Sequence, residues 1–136
     1  MRNRALAVDY MVRATKRLRV LDALYEQEAW ADVVREAQEV VELAMKGFLR
    51  SLHIEVPAIH DVSPVLEQNQ ERLTKDILQA LPRLTAISRT LRRDRELAFY
   101  GSEDLTPSEF YKKEDADEAR LSARFVVEQL RPHVVG

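Results

Sequence analysis

Cysteine is absent from the 136 residues, which rules out a disulfide framework and any thiolate metal site. That absence suits a reducing compartment, and a cytoplasmic location is the expectation. Glycine occurs three times and proline five times, so few positions interrupt regular structure. There is no Gly-rich phosphate loop and no G-x-S-x-G elbow, and no cysteine nucleophile exists. Long apolar runs are missing too. The opening MRNRALAVDYMVRATKR carries a charge every few residues, unlike a secretory leader, and no stretch has the charge-free length that crosses a bilayer. Histidine is scarce: His53 and His60 have no third ligand at a metal-site spacing, so neither a metal nor another cofactor is expected.

What is present is a chain 46% hydrophobic and 32% charged, rich in Leu, Ala, Glu and Arg. This predicts an all-α protein whose residues 1–136 form a single domain, long enough to bury one real core. The net charge of −2 hides an asymmetry. Residues 1–20 hold Arg2, Arg4, Arg13, Lys16, Arg17 and Arg19 against Asp9 alone, a segment near +5 that leaves −7 for the rest. A second basic run occurs at Arg83, Arg89, Arg92, Arg93 and Arg95, against Asp94. Such runs either decorate solvated helix faces or gather into a patch for phosphates.

Hydrophobic spacing lays out the helices. Ala7, Met11, Ala14, Leu18, Leu21 and Tyr25 line one face of a first helix over Asn3 to Tyr25. EQEAW makes a break, and a second helix over Trp30 to Leu52 carries Trp30, Val34, Ala37, Val41, Ala44 and Phe48. Val33, Val40, Met45, Leu49 and Leu52 widen its apolar arc, the mark of a central element touching several neighbours. Pro57 ends that helix, and Asp61 is a candidate N-cap for a short helix through Leu66. Residues 74–81 predict a helical piece, with Pro82 opening a new helix that runs to Tyr100 and stops at Gly101. Thr106, Pro107 and Glu109 match a capping box, and a last helix covers Glu114 to His133. The expected architecture is an up-and-down bundle of four long helices plus a short fifth.

RELAFYG, residues 95–101, holds the sharpest anomaly. With Leu91 set to zero and about 100° per residue, Leu84 falls near +20°, Ile87 near −40° and Ala98 near −20°. Arg95 falls at about +40°, beside the apolar arc, while Arg92 lies near +100° and Arg93 near −160°. A guanidinium aimed toward a core keeps its proton and needs acceptors or an open cleft. One reading gives Arg95 a carboxylate partner from the second helix, where Glu42 sits at a boundary position with Lys46 one turn on. The other points Arg95 at a phosphate, with Phe99, Tyr100, Phe110 and Tyr111 either stacking on a base or pinning the intervening loop.

Three segments together resemble the HEPN family, the nucleotide-binding domains of higher eukaryotes and prokaryotes. REAQEVVELAMKGFLRSLHIEVPAIHDVSPVL, residues 35–66, is similar to the family's second helix and the start of its next one, with Glu42, Lys46, Pro57, His60 and Asp61 in matching order. RELAFYGSEDLTPSEFY is similar to the region of the family's functional motif, and KKEDADEARLSARFVVEQL to its closing helix. The resemblance implies a helical bundle that dimerises and binds nucleotides or RNA. It also implies a small nucleotidyltransferase as partner in a two-component, toxin–antitoxin-like system. On it, nucleotide or phosphate contacts are expected from Arg95, Arg92, Lys46, Glu42, His60 and Tyr111.

Active family members are metal-independent endoribonucleases with an Arg followed, four to six residues on, by His. A neutral imidazole takes the 2′-hydroxyl proton while the guanidinium stabilises the phosphorane. Here the catalytic candidates are Arg95 and Tyr100, and no histidine occurs between residues 61 and 132. A phenol is only about 0.1% ionised at neutral pH, a poor general base. A binding module is the first expectation, with an endoribonuclease toxin and a non-catalytic scaffold or dimerisation domain as alternatives.

Overall fold

A computed structural model describes residues 2–56, 61–100 and 105–135; of Arg2 and of residues 93–100 it describes the helical backbone and not the side chains. The helices are α1 (Arg2–Glu26), α2 (Trp30–Ser51), α3 (Ser63–Gln68), α4 (Lys75–Tyr100), α5 (Pro107–Phe110) and α6 (Lys113–Leu130). Single 3-10 turns cover Gln70–Arg72 and Arg131–His133. Among the described residues there is no strand, and no helix is long and apolar enough to cross a membrane.

The expected up-and-down bundle of four long helices is present. Arg17 of α1 meets Glu36 of α2, and Ala7 meets Gly47, so α1 and α2 run antiparallel. Asp22 of α1 takes hydrogen bonds from Arg120 and Arg124 of α6. At one end of the bundle, His133 stacks edge-on against Phe48 and bonds Asp76 at the start of α4. Toward the other end, Val34 faces the same cavity as Ile87 and Leu91. These pairs fix α4 antiparallel to α2.

The broad apolar arc of α2 has the predicted consequence, since it packs against α1, α4 and α6. Val33, Val40, Ala37, Ala44, Met45 and Leu49 are wholly buried. Gly47 is the reason α1 lies so close: a Cβ there would sit 3.1 Å from the Ala7 carbonyl oxygen and 3.1 Å from Tyr10 Cβ.

Pro82 is where the sequence reading needs correction. It opens no new helix; α4 runs unbroken from Lys75 through it. A proline at this point removes one i→i−4 bond, to the Leu78 carbonyl. The adjacent turn is braced by the Thr85 hydroxyl, which donates to the carbonyls of Leu81 and Pro82 at 3.0 and 3.1 Å. Ile77 and Leu84, fully buried on either side of Pro82, hold both halves against the same core.

Other boundaries moved by small amounts. The capping box at α5 is present, with Thr106 accepting from the Glu109 N–H and Glu109 from the Thr106 N–H. The N-cap position of α3 is Val62 and not Asp61; Asp61, one residue earlier, still accepts the Ser63 N–H at 3.0 Å. The last helix gives way to a 3-10 turn before His133.

Candidate functional site

The flank of α4 that faces α3 carries the polar groups of interest. Counting about 100° per residue from Leu91, Ser88 lies near +60° and Arg92 near +100°, on one side of the inward stripe. Ser88 is buried, and its hydroxyl donates to Asp61 Oδ1 at 2.8 Å. The same oxygen accepts from the Ser63 hydroxyl at 2.7 Å and from the Ser63 N–H. Burial alone pushes the Asp61 carboxyl up. The Ser63 and Ser88 hydrogen bonds and the nearby Arg89 charge outweigh that, holding it below the ordinary carboxylate value. Asp61 is therefore an ionised pin between α3 and α4. Arg89 in turn pairs with Glu67 at the end of α3.

Arg92 comes one turn after Ser88 and is half-buried. Among the described residues no carboxylate or other acceptor pairs with its guanidinium. Among those residues its hydrogen-bonding capacity is therefore unspent.

On α2, α1 occupies the flank bearing Glu36 and Gly47. Glu42 and Lys46 fall on the opposite flank, at about +100° and +140° from Val41. They form an ion pair of 2.9 Å, with side chains only 16% and 17% exposed. Val34 lines the same cavity as Ile87 and Leu91, near the Arg92 part of α4, so Glu42 and Lys46 lie roughly two to three turns along the bundle from Arg92, on the order of 15 Å. Of the expected binding residues, Glu42, Lys46 and Arg92 thus lie along a strip and are not gathered round a point. One phosphate cannot touch both ends.

Tyr111 lies elsewhere. It is buried in a cavity of about 690 Å³ between α4 and α6, with Ile87, Thr90, Leu91 and Ser122. On α4 these residues occupy the 0° to −100° side of the stripe, away from Arg92. Phe110 stands edge-on to Tyr111 at 4.9 Å and is itself 42% exposed. Arg83, at the same cavity, lies over the Phe125 ring at 3.7 Å. The side chains of Arg95 and Tyr100, and all of His60 and Pro57, lie outside the described residues.

Two residues of the strip escaped the sequence reading. Ser88 is a small polar residue at a core angle, visible as an interruption of the apolar arc, but its acceptor lies 27 residues away. Buried Gln38, on the same flank of α2 as Glu42, is a polar interruption of the same kind. Among the described residues no three His, Asp or Glu side chains come together in a way that could hold a metal ion.

The comparisons with known proteins agree with this architecture. A crystal structure of an archaeal HEPN homologue superposes with a TM-score of 0.68 at 23% identity, covering 94% of this chain and 97% of that one. At that identity the likeness speaks for the fold. No curated protein matches the chain. The family model for the HEPN domain matches residues 7–132, nearly the whole length and all four long helices. The chain belongs to the HEPN domain family.

Proposed function

We propose that the chain is a phosphate-binding HEPN module that takes a nucleotide or RNA along the α2–α3–α4 strip, with Arg92 and Arg95 as its cationic contacts. The single observation that carries this reading is half-buried Arg92, one turn beyond the Ser88–Asp61 pin, whose guanidinium is paired with no acceptor among the described residues. A guanidinium binds phosphate oxygens in a forked geometry that lysine cannot match. Lys46 and Glu42 mark the far part of the strip, and the separation between them and Arg92 suits an extended phosphate chain better than one phosphate. Family membership supports a working context of a homodimer beside a small nucleotidyltransferase in a toxin–antitoxin-like pair. Ribonuclease chemistry fits less well, because Tyr100 stands where the family motif puts its histidine.

Titration of labelled ATP and of a short single-stranded RNA against wild type, Arg92→Ala and Arg95→Ala tests the reading. Each substitution is expected to weaken binding by about tenfold or more, as the loss of a charge-assisted hydrogen bond implies. Equal affinities in all three proteins would remove the site.

A further inference from the structure

The strongly basic first helix lies outside the Arg92–Lys46 strip, and its charges are only partly answered among the described residues. Arg17 is committed to Glu36 at 2.7 Å. Arg13 is not: its nearest carboxylate is Asp9 at 3.9 Å, both side chains about half exposed. On α2, opposite Asn3, Arg50 makes a long hydrogen bond to Asn3 Oδ1 at 3.4 Å, and its Nε is buried with no partner among the described residues. Both guanidinium groups come to the same ring. The central carbon of Arg13 lies 6.0 Å from the centroid of Tyr10, and that of Arg50 lies 5.7 Å from it.

Two like charges drawn to one aromatic ring, with no carboxylate paired to Arg50 among the described residues, leave a positive potential that those residues do not neutralise. Ring contacts limit the freedom of both guanidinium groups, so less entropy is lost when an anion bridges them. Arg50 also sits one turn after Lys46 on α2, at the end of the strip farthest from Arg92.

We infer that Arg13 and Arg50, mounted on Tyr10, form a second phosphate clamp on the α1–α2 face. The group recognised is a phosphate ester. A nucleotide and the backbone of a single-stranded RNA both supply one, and only the RNA reaches the clamp and the Arg92 strip together. The inference rests on the proposed function for that joint engagement, while the clamp itself stands on the Arg13–Tyr10–Arg50 geometry.

The test measures affinity for ATP and, separately, for single-stranded RNA of about 12 nucleotides, each across a range of salt concentrations. The proteins are wild type, R13Q/R50Q and Arg92→Ala, with thermal melts to confirm that each is folded; Arg13→Gln alone serves if the double variant is not. The double variant is expected to bind RNA about tenfold or more weakly and to flatten the dependence of log K on log salt by about 1.4, roughly 0.7 for each lost phosphate contact. For Arg13→Gln alone the flattening is about half as large. Weakened ATP binding in the double variant, with Arg92→Ala unaffected, would also establish the clamp and assign it a free nucleotide. Folded variants with wild-type RNA affinity, wild-type ATP affinity and unchanged salt slope would overturn it, as would wild type binding neither probe. Loss of RNA binding in Arg92→Ala alone would leave the proposed function standing and the clamp refuted.

Discussion

The Ser88 hydroxyl reaches Asp61 Oδ1 at 2.8 Å and so fastens the middle of α4 to the start of α3. Ser88 is 1% exposed, and its acceptor is an ionised carboxylate. Hydrogen bonds of that kind contribute about 1.5–3 kcal/mol. Ser88→Ala is therefore expected to lower unfolding free energy by roughly that much in urea titrations, and to weaken ligand binding through the displaced Arg92 face. A variant as stable as wild type would show that the pin does not hold the helices.

Asp61 gives the bundle an acid-sensitive contact. Its folded value lies below the ordinary one, so the stabilisation is complete above about pH 4, where an unfolded aspartate is ionised, and is lost as pH falls through the lower folded value. Wild type and Asp61→Asn, compared by melts at neutral pH and at successive steps below pH 4, should converge in stability as the pH drops. A constant difference across that range would show that the Asp61 charge is not what stabilises the contact.

Gly47 sits in the interior of α2, where alanine would ordinarily gain about 1 kcal/mol of helix propensity. Here the added methyl would press on the Ala7 carbonyl and Tyr10 Cβ, both at 3.1 Å, and on the Met11 nitrogen at 3.4 Å. Two of the three are backbone atoms, which yield only if α1 shifts as a whole. Overpacking costs about 1–3 kcal/mol, so Gly47→Ala should be net destabilising by about 1 kcal/mol, and Gly47→Val by more. A rise in melting temperature for Gly47→Ala would mean α1 accommodates the methyl freely.

Arg17 and Glu36 form the contact between α1 and α2 that is most exposed to mutation. Glu36 is 9% exposed in its side chain and Arg17 is 37% exposed. Removing Arg17 strands a nearly buried carboxylate, while water reaching the Arg17 side moderates the loss. Arg17→Ala is expected to cost about 1–3 kcal/mol, and a paired Arg17→Met, Glu36→Leu replacement much less. Equal losses for the single and the paired variant, measured by urea unfolding, would count against the pair.

Much of this fold is legible along the chain. The 3–4 spacing from Trp30 to Phe48 marks a helix buried on several sides, and the structure surrounds α2 with three partners. Thr106 and Glu109 announce α5 through contacts three residues apart, which sequence displays directly. Pro82 misleads because its cost is local, while the burial of Ile77 and Leu84 that outweighs it is tertiary. The candidate strip is legible only in part. Glu42 and Lys46 are neighbours on one helix and their pairing is implied by their spacing. Ser88 with Asp61, and Arg50 with Tyr10, join different helices, and no periodicity reports which helix faces which. The cavity that encloses Tyr111 on the other flank of α4 is likewise a product of packing.

The proposed phosphate-binding role of the strip stands or falls on the affinity of Arg92→Ala for a short single-stranded RNA, set beside wild type at one fixed salt concentration. Arg92 makes no ion pair among the described residues, so its removal should leave the melting temperature nearly unchanged while affinity falls about tenfold or more. Unaltered affinity in a protein that melts like wild type would refute that role.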